Sequence, residues 1–401
     1  MAEETKHQSV VRRTPFPRSA TSPLVPPIVP SAVFVARDAD HMNGVYEGRE
    51  QGFTYGREGG PNAELLAAKI ASLEGAECGL ITSSGMSAVA AILLGLLKAG
   101  DHVVAGNQLY GRTLRLVTQE LPRLGFATDV VDATDVAAVE RAIRPETRLL
   151  LVEVVSNPLL RVPDIVELSA LARSRGVLFV VDNTFPTPLA FRPLALGASI
   201  VFHSVTKMLA GHSDLTLGAI CAARELAAPI REAVVTWGLN GSPFDCWLAE
   251  RGMHTLELRV ARANANAMAL ADFLARQPAV RRVLYPGRAD HPDHAVARRL
   301  FGDQFGNMVT FEIAGGRDTV NRFMQALQSI PFAPTLGDVS TIISHPAVTS
   351  HRGLTAAARD ALGIHEGTIR VSVGVEAFSL LEDEFLTALS AVASAGASSR
   401  S

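Results

Sequence analysis

Ala198-Ser-Ile-Val-Phe-His-Ser-Val-Thr-Lys207 is an apolar, β-branched run that ends in small hydroxyl residues and then in a lysine. The run reads as a buried strand, and a buried ammonium is costly unless it is paired or neutral. The choice of cation is informative. The chain holds only four lysines (Lys6, Lys69, Lys98 and Lys207) against 33 arginines. At the strand end it uses the one cation that deprotonates readily and bonds covalently to a carbonyl carbon. Twenty-five residues upstream, Val180-Val-Asp182-Asn-Thr184 is a second apolar strand, and it ends in a carboxylate.

Other short apolar segments fall into the same rhythm: Gly79–Thr82, His102–Ala105, Ala127–Val131, Leu149–Glu153, Val177–Val181 and Leu217–Cys221. Helical patterns lie between them, at Asn62–Leu73 with a capping-type start, at Gly85–Leu97 and at Ile165–Arg175. Strands without polar alternation are covered on both faces, which predicts an α/β fold with a mainly parallel open sheet. Ligands on such sheets bind beyond the carboxyl ends of the strands. A long helical run over 250–280 reads as a linker helix. The segments Val280–Leu284, Met308–Ile313 and Thr368–Val373, with a helix at 317–328, read as a smaller C-terminal α+β domain. The expected division is an N-terminal extended arm over 1–60, a large domain over 61–252 and a small domain over 253–401. Prolines up to Pro30 exclude a continuous helix from the start of the arm. Ser394–Ser401 reads as a disordered low-complexity tail.

Composition excludes several classes. The chain is 48% hydrophobic and 19% charged, so it folds into a globular core. A net charge of -3 gives no reason to expect nucleic acid or an anionic membrane as partner. Cys78, Cys221 and Cys246 are too widely spaced for a disulfide framework or metal site. The N-terminus is charged and carries no apolar core, so no secretory signal is expected. No apolar run reaches about 18 unbroken residues, so no membrane span is expected. The expected compartment is the cytoplasm.

An aspartate on one strand end and a lysine on another suit pyridoxal phosphate: the carboxylate keeps the pyridine nitrogen protonated and the lysine forms a Schiff base. Thr82-Ser-Ser84-Gly85-Met86 lies where a strand enters a helix, a place whose backbone N–H groups bind phosphate. Ser204 and Thr206 add hydroxyls beside Lys207, and Arg57 adds a charge-assisted contact. Tyr110, after a strand, reads equally as a ring that stacks on an aromatic cofactor or as a surface tyrosine. Asn157-Pro158 is a strand-end turn. His203, His212 and Asp214 show no metal spacing and read as structural.

These pieces together resemble the Cys/Met metabolism family of pyridoxal-phosphate enzymes, which includes cystathionine γ-synthase, cystathionine γ-lyase, methionine γ-lyase and the homoserine sulfhydrylases. The resemblance runs from about Phe53 to Val375. Its motifs are Tyr55-Gly-Arg57, Ser84-Gly-Met86, Tyr110-Gly-Arg-Thr113, Glu153-Val-Val-Ser-Asn157-Pro158, Asp182-Asn-Thr184, His203-Ser-Val-Thr-Lys207, Ser242-Pro-Phe244, His345-Pro346 and Arg370-Val-Ser-Val-Gly374. It implies fold-type I architecture and a lyase or transferase of the transsulfuration type, acting at Cγ of an activated homoserine or sulfur amino acid. The alternatives are β-elimination, as in cystathionine or cysteine lyases, and a catalytically idle regulatory member.

The resemblance also implies roles. Lys207 bonds to the cofactor and moves protons, Asp182 pairs with the ring nitrogen, Tyr110 stacks on the ring, and Asn157 lies near the ring's phenolic oxygen. Ser84, Gly85, Met86, Ser204 and Thr206 hold the phosphate. Tyr55 and Arg57 reach the phosphate of a neighbouring subunit, which implies a dimer with shared sites and a tetramer of two dimers. Arg370 clamps the substrate α-carboxylate, and Tyr55 or Tyr110 joins in proton transfer. Four positions depart from the family pattern, one of them the usual Gly-Gly after the cofactor loop, which is Leu217-Gly218 here. The usual Tyr-Ser-Arg is Tyr55-Gly-Arg57. Ser340, followed by Thr341, stands where cystathionine-handling members carry a glutamate. Arg112 stands where methionine γ-lyases carry a cysteine. Ser340, Thr341 and Arg112 are therefore the candidate specificity residues, and they match none of the subgroups cleanly.

Overall fold

The computed structural model describes residues 19–398. The large sheet has seven strands: β1 (Cys78–Thr82), β2 (His102–Gly106), β3 (Ala127–Val131), β4 (Thr147–Glu153), β5 (Leu178–Asp182), β6 (Ile200–Ser204) and β7 (Gly218–Ala222). Their order is β1-β7-β6-β5-β4-β2-β3. The run from β3 to β6 is parallel, whereas β7 is antiparallel to both β6 and β1. Alternate residues of one strand feed two separate cores: Leu150 and Val152 pack into one, Leu149 and Leu151 into the other. Both faces of the inner strands are covered, and for this reason those strands lack polar alternation.

The smaller sheet is antiparallel, in the order β10 (Ile342–Ser344), β11 (Thr368–Ser372), β9 (Met308–Ile313), β8 (Val280–Leu284). Phe311, Phe323 and Phe385 cluster behind it, with ring centroids 5.7–6.2 Å apart. Each is fully buried and contributes roughly 1.5–3 kcal/mol by removal from water. The short β10 carries no sequence signal of its own. The expected α/β large unit and smaller α+β unit are the observed architecture.

Four local expectations are corrected. The arm is not extended throughout, because Ala39–Tyr46 is a helix whose N-cap, Asp38, accepts from the His41 N–H at 2.8 Å; residues 1–18 lie outside the described residues. The helix expected from Asn62 starts at Pro61, and Asn62 does not cap it. Its amide instead straps the arm, accepting from the Val29 N–H at 2.9 Å and donating to the Pro27 carbonyl at 3.0 Å. The linker run over 250–280 is two helices, Pro243–Met253 and Leu256–Ala275, which break at His254 and Thr255. The last helix, Phe378–Ser398, continues through the segment read as a tail. Its small residues are mostly alanine and serine, which a helix tolerates. Residues 399–401 lie outside the described residues.

Candidate active site

The chain runs outward from β2 to β3, then returns to β4 on the other side of β2 and continues to β5 and β6. The order reverses between β2 and β4, and a crevice opens at such a point. There lies a cavity of about 400 Å³. Three strand ends supply its floor. Glu153 at the end of β4 sits in register with Asp182 at the end of β5, and β6 leads through Ser204 and Thr206 to Lys207. From the far side of the switch point, Tyr110 follows β2, and its N–H donates to the Glu153 carboxylate.

Two buried carboxylates in register cannot both stay charged at low cost. Burial and the Asp182 charge push Glu153 well above the usual carboxylate range. Burial also raises Asp182, but hydrogen bonds from Thr184 and the nearby His203 oppose that shift; the Thr184 N–H lies 2.9 Å from the carboxylate. Glu153 is therefore the member more readily protonated, and Asp182 the one whose surroundings favour its charge. Behind Asp182, His203 Nε2 meets Glu74 Oε1 at 2.6 Å, with both side chains fully buried. Asn183 also donates to Glu74, at 2.9 Å. His203 is thus an anchor beneath the cavity floor.

Burial and the Arg370 charge lower the Lys207 ammonium from its ordinary value to about 8. Its Nζ donates to Thr335 Oγ1 at 3.1 Å. Arg370 projects from β11 of the small domain, where it is only 4% exposed. Its Nη1 donates to Asn157 Oδ1 at 2.8 Å and its Nη2 to the Thr335 carbonyl at 2.9 Å, whereas Nε has no partner among the described residues. Desolvation lowers even this guanidinium to about 10. Thr335 thus touches both cations. Its loop is held by Gly337 (φ +81°), where an added Cβ would stand 2.6 Å from the Met208 backbone nitrogen. Only glycine fits this approach.

At the opposite wall, Ser84 caps the helix Gly85–Leu96 by accepting from the Ser87 N–H at 3.0 Å. The Gly85 and Met86 N–H groups are left at the open helix end, facing the cavity. A Cβ on Gly85 would come within 2.9 Å of the Ser204 side chain, so glycine is required for helix and strand end to meet. The Thr206 hydroxyl is already engaged with Leu217, donating to its carbonyl at 3.2 Å.

Eleven of the sequence-derived candidates line this one cavity: Ser84, Gly85, Met86, Tyr110, Arg112, Asn157, Asp182, Ser204, Thr206, Lys207 and Arg370. Four do not. Tyr55 and Arg57 lie apart from it, with the guanidinium 5.1 Å from the Tyr55 ring centroid. Ser340 is exposed and turns its hydroxyl to Asp338 at 2.9 Å. Thr341 is buried, bonded to Glu376 and to the Gly374 N–H. Sequence reasoning gave no role to Glu153, Thr184 or Thr335. Glu153 carried a signal, because it ends a strand as Asp182 does; Thr335 lies in a loop and carried none.

The donor set fits pyridoxal phosphate. An open helix end and the Ser204 hydroxyl suit a phosphate, a charged carboxylate suits a pyridinium, and a lysine of lowered basicity suits a covalent bond to the cofactor's carbonyl carbon. The sequence comparisons agree. Residues 8–390 match the family model described as Cys/Met metabolism PLP-dependent enzyme. The chain is 41% identical to L-methionine gamma-lyase of Pseudomonas putida, over 90% of this chain and 91% of that protein. It is 38% identical to O-succinylhomoserine sulfhydrylase of Pseudomonas aeruginosa, over 90% and 89%. The crystal structure of cystathionine gamma synthase from Xanthomonas oryzae pv. oryzae in complex with cystathionine superposes with a TM-score of 0.89 at 37% identity, covering 94% of this chain and 95% of that one. The chain belongs to the Cys/Met metabolism family of pyridoxal-phosphate-dependent enzymes. It is a lyase or transferase of the transsulfuration type, with pyridoxal phosphate as its cofactor.

Proposed function

We propose that the protein replaces or eliminates a substituent at Cγ of an activated homoserine or a sulfur amino acid. The observation that carries this reading is the convergence of Lys207, Asp182 and Arg370 on one cavity. Pyridoxal phosphate, when bound, withdraws electrons from the substrate's α-carbon. The protein's own residues then divide the work. Asp182 presents its charge to the ring nitrogen, and Tyr110 covers the ring. Gly85, Met86, Ser84, Ser204 and Thr206 surround the phosphate. Arg370 receives the substrate α-carboxylate through a guanidinium already oriented by Asn157 and Thr335. Lys207, uncharged in a useful fraction at neutral pH, takes the proton from Cα and moves protons at Cβ so that the γ-substituent departs.

Tyr55 and Arg57 serve the phosphate site of a neighbouring subunit in this reading, which makes the working unit a dimer and the assembly a tetramer of two dimers in the cytoplasm. Among the described residues no helix is long and apolar enough to cross a membrane and no cluster suits a metal ion. Lys207, Asp182 and Arg370 are all in place, which argues against an idle regulatory role. The test is ketoacid release and thiol consumption with O-succinylhomoserine, methionine and cystathionine as substrates. Release of 2-oxobutanoate, or capture of a thiol at Cγ, supports the reading. Pyruvate alone, from cystathionine alone, makes the enzyme a β-lyase and overturns it. Arg57→Ala and Lys207→Ala proteins, each inactive, should regain part of the activity when mixed. No recovery after verified subunit exchange removes the shared site.

A further inference from the structure

The two ends of the cavity differ in charge. Its only carboxylates, Glu153 and Asp182, sit at the inner end, and Glu153 is already engaged by the Tyr110 N–H. Arg112, two residues beyond Tyr110, is exposed on the lining, and among the described residues no acceptor bonds to its guanidinium. Its neighbour Arg115 is an ordinary surface cation, 3.7 Å from Glu120. The lining around Arg112 is otherwise neutral: Thr113, Thr349 and Ser350. Its backbone is fixed from outside. A Cβ on Gly111 would stand 2.3 Å from the Ser350 carbonyl, so the loop carrying Thr349 and Ser350 closes directly onto the turn that bears Arg112. Ser340 turns to Asp338 and does not line the cavity, and among the described residues the lining holds no acidic side chain besides Glu153 and Asp182.

We infer that Arg112 forms a subsite for a second negative charge on the substrate: the enzyme favours amino acids whose γ-substituent ends in a carboxylate or phosphoryl group over those with a neutral or zwitterionic tail. The inference rests on the functional reading above and specifies its substrate class. An exposed ion pair is weak in open water. A substrate that fills the cavity displaces that water and turns the contact into a charge-assisted hydrogen bond.

The test uses two unreactive amino acids of equal chain length, 2-aminoadipate and norleucine, as competitive inhibitors of the holoenzyme. Both present the same α-amino and α-carboxylate groups to Arg370 and Lys207, so the ratio of their inhibition constants isolates the tail. The wild type should bind 2-aminoadipate at least about tenfold more tightly than norleucine. Arg112→Ala should remove most of that ratio without changing the norleucine constant, and Arg112→Lys should retain part of it. Parallel kcat/KM values for O-succinylhomoserine and cystathionine should move in the same direction. A ratio near one in the wild type, or a ratio unchanged in Arg112→Ala, overturns the subsite while leaving the catalytic reading intact. Failure of both amino acids to compete, with no turnover of either substrate, rejects the catalytic reading itself.

Discussion

The inner end of the cavity and its mouth are built to opposite rules. At the inner end each group is held by several others. Glu153 holds Tyr110, Thr184 holds Asp182, Thr335 holds both Lys207 and Arg370, and the buried Glu74–His203 pair lies under the floor. At the mouth, Arg112 has no partner among the described residues, and Ser340, bonded to Asp338, does not line the cavity. The difference separates two demands. Proton transfer needs groups fixed before the substrate arrives, whereas choice among tails needs only a surface whose charge and shape differ. Relatives 41% and 38% identical to this chain carry names as different as L-methionine gamma-lyase and O-succinylhomoserine sulfhydrylase.

Loss of the lysine should be the largest effect. Lys207→Ala should lower turnover by about 10³-fold or more, since it removes the proton carrier; a variant that retains a tenth of the activity would place the carrier elsewhere. Next comes the foundation. Glu74→Ala strands His203 and Asn183 in the core, and removing one partner of a buried pair costs about 3–5 kcal/mol. Urea midpoints should report that loss, whereas Arg112→Ala at the mouth should stay within about 0.5 kcal/mol of the wild type. Equal losses would erase the contrast between the two ends. Arg370→Lys keeps the charge but loses the planar contacts to Asn157 and Thr335. Steady-state kinetics should show KM for every amino-acid substrate raised by about tenfold or more.

The smallest effect is on pH. The folded-state pKa of Lys207 lies near 8, below its ordinary value of 10.5. The native chain therefore holds fewer protons than the unfolded chain between those values, and stability contributed by this group rises with pH across that window. The neutral amine is also the form that bonds to the cofactor. Recapture of pyridoxal phosphate by the cofactor-free protein should quicken as pH rises through about 8 and then level off. A rate still climbing at pH 10 would mean that burial does not lower Lys207.

Much of the inner end was legible in the sequence because strand ends are. An apolar run that stops at Asp182, or at Ser204 to Lys207, announces both the strand and the groups it delivers. Glu153 announces itself in the same way, but its pairing with Asp182 depends on strand order, which periodicity does not carry. Thr335 was illegible because a loop delivers it, placed by the close approach of Gly337 to Met208. The short β10 is recognised only through its pairing with β11. Asn62 resembles a cap in the sequence because an amide near a helix start serves either as cap or as strap, and only the neighbouring arm decides between them.

Lys207 is the proposed point of cofactor attachment, on which every other role at the inner end depends. The direct measurement is borohydride reduction of the purified protein with pyridoxal phosphate, followed by peptide mass mapping. The protein should show a visible absorbance band that reduction abolishes, and the cofactor should remain bonded to the peptide that contains Lys207. A colourless protein, or a label on Lys69 or Lys98 with Lys207 unmodified, would contradict it.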